Sequence, residues 1–260
     1  MKKLLMLCAF TLLGCSVAWA EIVTRAIEYK QGDARLVGYL AYPKDSKTPP
    51  PGVLVVPEWQ GLNDYAKRRA EQLAALGYVA LAADIYGDGK VAADTKEAAA
   101  LAKIYKDDRT LMRARAQAGL ETLKSQPMVD AKRLAAIGYC FGGTTVLELA
   151  RSGADVVGVV SFHGGLDTPN PVDAKNIRGK VLVLQGGDDP FVPPEQVTAF
   201  QDEMRKAGVD WQFVTYGGAV HSFTNPASGN DNSKGAAYNA AADRRSWLAM
   251  QQFFNELFKN

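Results

Sequence analysis

Hydrophobic positions along this chain follow two alternating patterns. Short runs that are apolar at most positions recur at residues 52–56, 78–83, 133–137, 156–162 and 180–185, and 211–216 reads as a last strand. Between them lie longer stretches whose apolar residues return every three or four places: 64–76, 94–105, 108–125, 144–151, 194–207 and 239–258. The first pattern predicts buried strands and the second predicts amphipathic helices. In residues 108–125, for example, Leu111, Ala114, Ala118 and Leu123 fall at helical spacing. Ahead of these, residues 22–29 alternate loosely and predict an edge strand, with 33–43 as its hairpin partner. Pro49, Pro50 and Pro51 then form a rigid connector. Residues 224–238 are polar, with Asn225-Pro226 and Gly229-Asn230-Asp231, and predict a long excursion before the last helix. There is no repeat, low-complexity run or linker. Strands alternating with helices predict an α/β fold, a mostly parallel sheet covered on both faces. In such a sheet functional groups gather past the carboxyl ends of the strands. Glu58, Asp84, Cys140, His163, Asp189 and His221 all fall there.

The first twenty residues stand apart from this pattern. Lys2 and Lys3 precede an apolar stretch from Leu4 to Leu13, too short to span a bilayer, and Ala18-Trp19-Ala20 offers an A-x-A cleavage site before Glu21. Residues 1–20 therefore read as a secretory signal peptide and 21–260 as one α/β domain. Leu12-Leu13-Gly14-Cys15 also resembles a lipobox, so the alternative to cleavage after Ala20 is a lipidated Cys15. Either reading places the protein across the inner membrane, in the periplasm or anchored at its face. The chain carries 30 Lys+Arg and 28 Asp+Glu; loss of Lys2 and Lys3 leaves 28 of each sign. That balance argues against nucleic acid or an anionic membrane surface as partner. No later stretch is apolar for long enough to cross a membrane, and a monomer is expected.

The cysteine count changes the picture most. Of three, Cys8 and Cys15 lie in the leader, which leaves Cys140 alone in the mature chain. That excludes an internal disulfide and a multi-cysteine zinc site, and no metal or cofactor is expected. A lone thiol in an oxidising compartment is either buried and inert or reactive. Its setting, Gly138-Tyr139-Cys140-Phe141-Gly142-Gly143 between an apolar run and a helical pattern, has the layout of a nucleophile elbow with cysteine in place of serine. A thiol nucleophile needs a base, and the base an orienting acid. In the elbow arrangement the chain order is nucleophile, acid, histidine, and Cys140, Asp189, His221 satisfies it. Asp188 competes with Asp189 but reads as a cap or a solvent-facing residue. His163, the other histidine, is either a packed, hydrogen-bonded group at a strand end or part of the pocket lining. Two oxyanion donors are expected, the backbone N–H of Phe141 and that of Trp59. Glu58 is either a surface-loop carboxylate or a switchable partner of the thiol.

These residues resemble the dienelactone hydrolase family, within the α/β-hydrolase fold. The resemblance is carried by residues 138–143, by Gly-Gly-Asp-Asp-Pro-Phe-Val-Pro at 186–193, by His-Ser-Phe at 221–223, by Asp-Ile-Tyr at 84–86, and by Glu58 with Gly61. It implies a Cys140–His221–Asp189 triad that cleaves a small-molecule ester or lactone through an acyl-cysteine. It also implies that Glu58 holds the resting thiol and that Trp59 and Phe141 form the oxyanion hole. Tyr86, His163 and Asn225 are candidate substrate-pocket residues. One departure concerns substrate. Founding members grip a carboxylate with arginines, one of them four residues after the histidine; here that position is Asn225, and no arginine lies between Glu71 and Asp108. The rival readings are a broad carboxylesterase or thioesterase, and a catalytically silent envelope protein that binds a ligand on the same fold. A redox thiol would lack a resolving cysteine.

Overall fold

A computed structural model describes residues 21–259; the signal peptide expected at residues 1–20 and the alternative lipidation site at Cys15 lie outside the described residues. The eight strands are β1 (Ile22–Gln31), β2 (Ala34–Pro43), β3 (Pro51–Val56), β4 (Val79–Ala82), β5 (Asp130–Tyr139), β6 (Gly158–Phe162), β7 (Lys180–Gly186) and β8 (Trp211–Tyr216). They form one sheet in the order β1-β2-β4-β3-β5-β6-β7-β8. β1 and β2 pair as an antiparallel hairpin, β2 joins β4 antiparallel, and every later pairing is parallel. The helices are α1 (Asp64–Ala75), α2 (Thr95–Asp107), α3 (Arg109–Lys124), α4 (Phe141–Arg151), α5 (Pro194–Ala207) and α6 (Ala240–Leu257). Short 3₁₀ turns at Pro171–Asn176, Pro226–Ser228 and Asn232–Lys234 complete the chain; the sequence pattern gives no sign of them.

The period-two geometry of a strand explains why the central runs are apolar throughout. In β3, Leu54 and Val56 face the core under α3 and α4, while Val53 and Val55 face the core under α1 and α6. β7 divides in the same way, Val181 and Val183 to one side, Leu182 and Leu184 to the other. Met112, Leu120, Leu149, Phe200 and Met204 fill the first core; Leu73, Met250, Phe253 and Phe254 fill the second. No helix among the described residues is long and apolar enough to cross a membrane.

α4 differs from its sequence expectation in two respects. It begins at Phe141, immediately after the elbow, rather than at residue 144. It is also buried on every side, with Glu148 and Arg151 fully inaccessible. Arg151 donates to both Glu203 carboxylate oxygens at 2.8 Å, to Glu148 at 3.0 Å and to the Leu166 carbonyl at 3.1 Å. Arg113 reaches Glu148 and Asp173 at 2.7 Å each. Buried charges persist only when paired and hydrogen-bonded, and this network supplies both conditions. It fixes the helix on which the elbow rests.

Candidate active site

The elbow is a steric necessity written in glycine. Cys140 stands at φ 53°, ψ −114°, a conformation that costs a non-glycine residue on the order of 1–3 kcal/mol. A Cβ on Gly138 would lie 2.0 Å from the Gly142 carbonyl oxygen, and one on Gly142 would lie 2.1 Å from that of Val56. Hydrogens at these two positions let β5, the turn and α4 close on one another. The thiol is thereby lifted past the end of β5, half-buried, at the N-terminus of α4.

Cys140, His221 and Asp189 converge although 81 and 32 residues separate the interacting pairs. His221 Nε2 lies 3.0 Å from Cys140 Sγ, and Nδ1 lies 2.9 Å from Asp189 Oδ2. Asp189 is buried at the end of β7, where Gln185 Nε2 donates to Oδ2 at 2.7 Å and the Phe191 N–H donates to Oδ1 at 2.9 Å. Asp188 next to it is exposed and does not reach the histidine. Burial alone would lower the pKa of His221. The charge of an ionised Cys140, hydrogen bonds to Asp189 and Cys140, and the Asp189 charge outweigh it and push the imidazole up to about 10.

The two expected oxyanion donors belong to the turn after β3, at Trp59, and to the first residue of α4, Phe141. Trp59 follows β3, and its carbonyl accepts a 2.7 Å hydrogen bond from the Tyr86 hydroxyl, which holds the Trp59–Gln60 peptide. Neither the Trp59 nor the Phe141 amide donates to another protein group among the described residues. The Tyr86 ring packs on Phe141 and Tyr105 with centroids 5.7 and 5.5 Å away, so Tyr86 is both a wall and a brace. Phe191, largely exposed, meets the His221 ring edge to face at 5.3 Å.

The structure decides the alternatives at Glu58 and His163 and alters the expectation at Asn225. Glu58 is no surface carboxylate: it is 4% exposed, and burial raises its pKa against the lowering pull of Asn225, Ser222, His221 and Arg69. Nor does it hold the thiol. Ser222 Oγ donates to Oε1 at 3.1 Å and Asn225 Nδ2 to Oε2 at 2.6 Å, and no Glu58–Cys140 hydrogen bond exists among the described residues. Asn225, expected beside the substrate, spends its amide inside the protein, with Oδ1 accepting from the Ala227 N–H at 3.0 Å. His163 is wholly buried and does not border an open pocket; it lies behind the elbow, its ring 5.4 Å from that of His221. Ser222 and Thr224 were missed by sequence reasoning, since a lone hydroxyl beside a histidine carries no spacing signal. Ser222, at φ 53°, departs from extended backbone as Cys140 does.

A mostly parallel eight-stranded sheet with a strained strand–turn–helix elbow defines an α/β-hydrolase. More narrowly, the chain belongs to the dienelactone hydrolase family, whose model matches residues 36–258. A solved structure named m3DLH is similar with a TM-score of 0.88 at 48% identity, covering 92% of this chain and 99% of that one. A dienelactone hydrolase-like promiscuous phosphotriesterase from metagenomic libraries is similar with a TM-score of 0.87 at 46% identity, over the same shares of the two chains. A Bradyrhizobium protein named "Probable 2-oxo-3-(5-oxofuran-2-ylidene)propanoate lactonase" is 30% identical over 215 residues, 79% of this chain and 83% of its own. The protein is thus a dienelactone hydrolase-like hydrolase, of a family acting on lactones and esters.

Proposed function

We propose that the protein is an exported hydrolase that opens an ester or lactone through an acyl-cysteine, with Cys140 as nucleophile, His221 as base and Asp189 as its orienting acid. The observation that carries this reading is the continuous contact from Asp189 through both nitrogens of His221 to the elbow thiol, at 2.9 and 3.0 Å. His221 takes the thiol proton, and the thiolate attacks the acyl carbon. The oxyanion accepts hydrogen bonds from the Trp59 and Phe141 amides; losing one such donor typically costs about 10²–10³ in rate. Collapse breaks the C–O bond, and His221 returns its proton to the leaving alkoxide, which in a lactone stays attached to the acyl group. His221 then deprotonates water, which attacks the thioester; carboxylate leaves and the thiol re-forms.

The site favours acyl groups without a carboxylate. Trp59, Tyr86 and Phe191 around the triad are aromatic, and the Asn225 amide is consumed by Glu58 and Ala227. This supports a broad carboxylesterase or thioesterase activity beside lactone hydrolysis. The name of the phosphotriesterase relative adds phosphotriesters to the substrates worth screening. The leader at residues 1–20 supports export, and a monomer remains our expectation. The test is hydrolysis of p-nitrophenyl esters, lactones and thioesters by wild type and Cys140→Ala. Turnover that Cys140→Ala abolishes is expected. Equal turnover by the variant would sink the mechanism, and no turnover by either would leave the silent binding protein.

A further inference from the structure

One buried imidazole takes no part in the chemistry above. His163 follows β6, is fully inaccessible, adopts φ 41°, and uses both ring nitrogens. Its Nδ1 accepts from the backbone N–H of Cys140 at 3.1 Å; the same N–H reaches the Phe162 carbonyl at 3.0 Å. Because Nδ1 accepts, the proton of the neutral ring sits on Nε2, which lies 2.7 Å from Thr224 Oγ1. The chain of contacts continues inward from there. The Thr224 hydroxyl meets that of Tyr65 at 2.6 Å. Arg69 Nε donates to the Tyr65 hydroxyl at 3.2 Å, while its Nη2 donates to the Thr224 carbonyl at 2.9 Å and to Asp243 at 2.5 Å. The guanidinium is enclosed by the rings of Tyr65, Tyr139 and Trp247 at 5.1–5.4 Å. Every link from Thr224 to Arg69 is buried.

This network joins two strained segments. One is the elbow. The other is the loop after β8, where His221, the left-handed Ser222, Thr224 and Asn225 lie within five residues. Backbone held in such conformations persists only when its surroundings over-determine it. We infer that His163 and Thr224 are positioning residues: the ring of His163 and the hydroxyl of Thr224 tie the backbone of Cys140 to the loop that carries His221, and so set the spacing between nucleophile and base. The inference rests on the triad reading above. Electrostatics agree with it. Burial, with the positive charges of His221 and Arg69, holds His163 well below the ordinary imidazole range. Its Nδ1 therefore stays an acceptor for the Cys140 amide while His221 gains and loses protons.

The experiment compares Thr224→Val, which keeps the shape and loses the hydroxyl, with Thr224→Ser, which keeps the hydroxyl. Steady-state hydrolysis of a p-nitrophenyl ester and the rate of Cys140 alkylation by iodoacetamide are both measured. For Thr224→Val, kcat is expected to fall about tenfold with KM within about twofold, and alkylation to slow by a similar factor, while Thr224→Ser returns both to within about twofold of wild type. Wild-type kcat and alkylation in Thr224→Val overturn the inference. So does a Thr224→Ser protein as impaired as the valine variant, which would assign the effect to packing. If Thr224→Val fails to fold by near-ultraviolet circular dichroism, His163→Asn replaces it under the same criteria, since asparagine tolerates positive φ but cannot span to Thr224. The two readings fail differently. Wild-type Cys140 that labels no faster than in unfolded protein sinks the triad itself; fast wild-type labelling with unaffected variants sinks only the positioning.

Discussion

Replacing Asp189 by asparagine tests the site at its least exchangeable position. The carboxylate accepts three hydrogen bonds, from His221 Nδ1, from Gln185 Nε2 and from the Phe191 N–H. Two of these donors share Oδ2, so an asparagine turned either way sets its NH₂ against at least one N–H. The imidazolium also loses the adjacent negative charge. A hydrogen bond to a charged group contributes about 1.5–3 kcal/mol, and each 1.36 kcal/mol is tenfold in rate. We therefore expect Asp189→Asn to lower kcat/KM by about 10²-fold with the fold intact. A pH consequence accompanies this. His221 in wild type is raised from 6.5 to about 10, so its charged form adds stability that is fully present below pH 6.5 and is lost as pH rises through about 10. Without Asp189 that loss should come at lower pH. The assay is ester hydrolysis at fixed pH, together with urea denaturation midpoints across the 6.5 to 10 window. Unchanged kcat/KM, or an alkaline stability limb coincident with wild type, would refute the argument.

Other outcomes follow from separate features. Burial raises the Glu58 pKa above 4.5, so its ionisation opposes folding as pH rises past that value; Glu58→Gln should gain stability over wild type at neutral pH and lose that gain at pH 4.5, by chemical denaturation. Gly138→Ala drives a Cβ to 2.0 Å from a backbone oxygen and should cost about 3 kcal/mol in urea unfolding, with esterase activity lost. Arg151→Met strands the buried Glu203 and should cost about 3–5 kcal/mol, read as a lowered denaturation midpoint.

The elements were legible because their causes are local. The apolar runs of β3 and β7 mark strands buried on both faces, and the glycines at 138 and 142 mark a turn that tolerates no side chain. Chain order then nominated Cys140, Asp189 and His221, and the structure brings these three into contact. Polar partnership was not legible. Glu58 and Asn225 are 167 residues apart, and His163 and Thr224 are 61 apart. Which of them meet depends on how the loops past the strand ends converge, and no periodicity records that. The burial of α4 on all sides was hidden for the same reason, since it depends on Arg113 of α3 and Glu203 of α5 pairing with Glu148 and Arg151. By itself the sequence determined the sheet, the elbow and the candidate nucleophile, because hydrophobic period and backbone sterics act between neighbours. Only the tertiary structure decided that Glu58 faces Ser222 and Asn225 rather than the thiol, and that His163 braces the elbow from behind. A buried polar group takes whichever partner the packed loops bring within hydrogen-bonding distance.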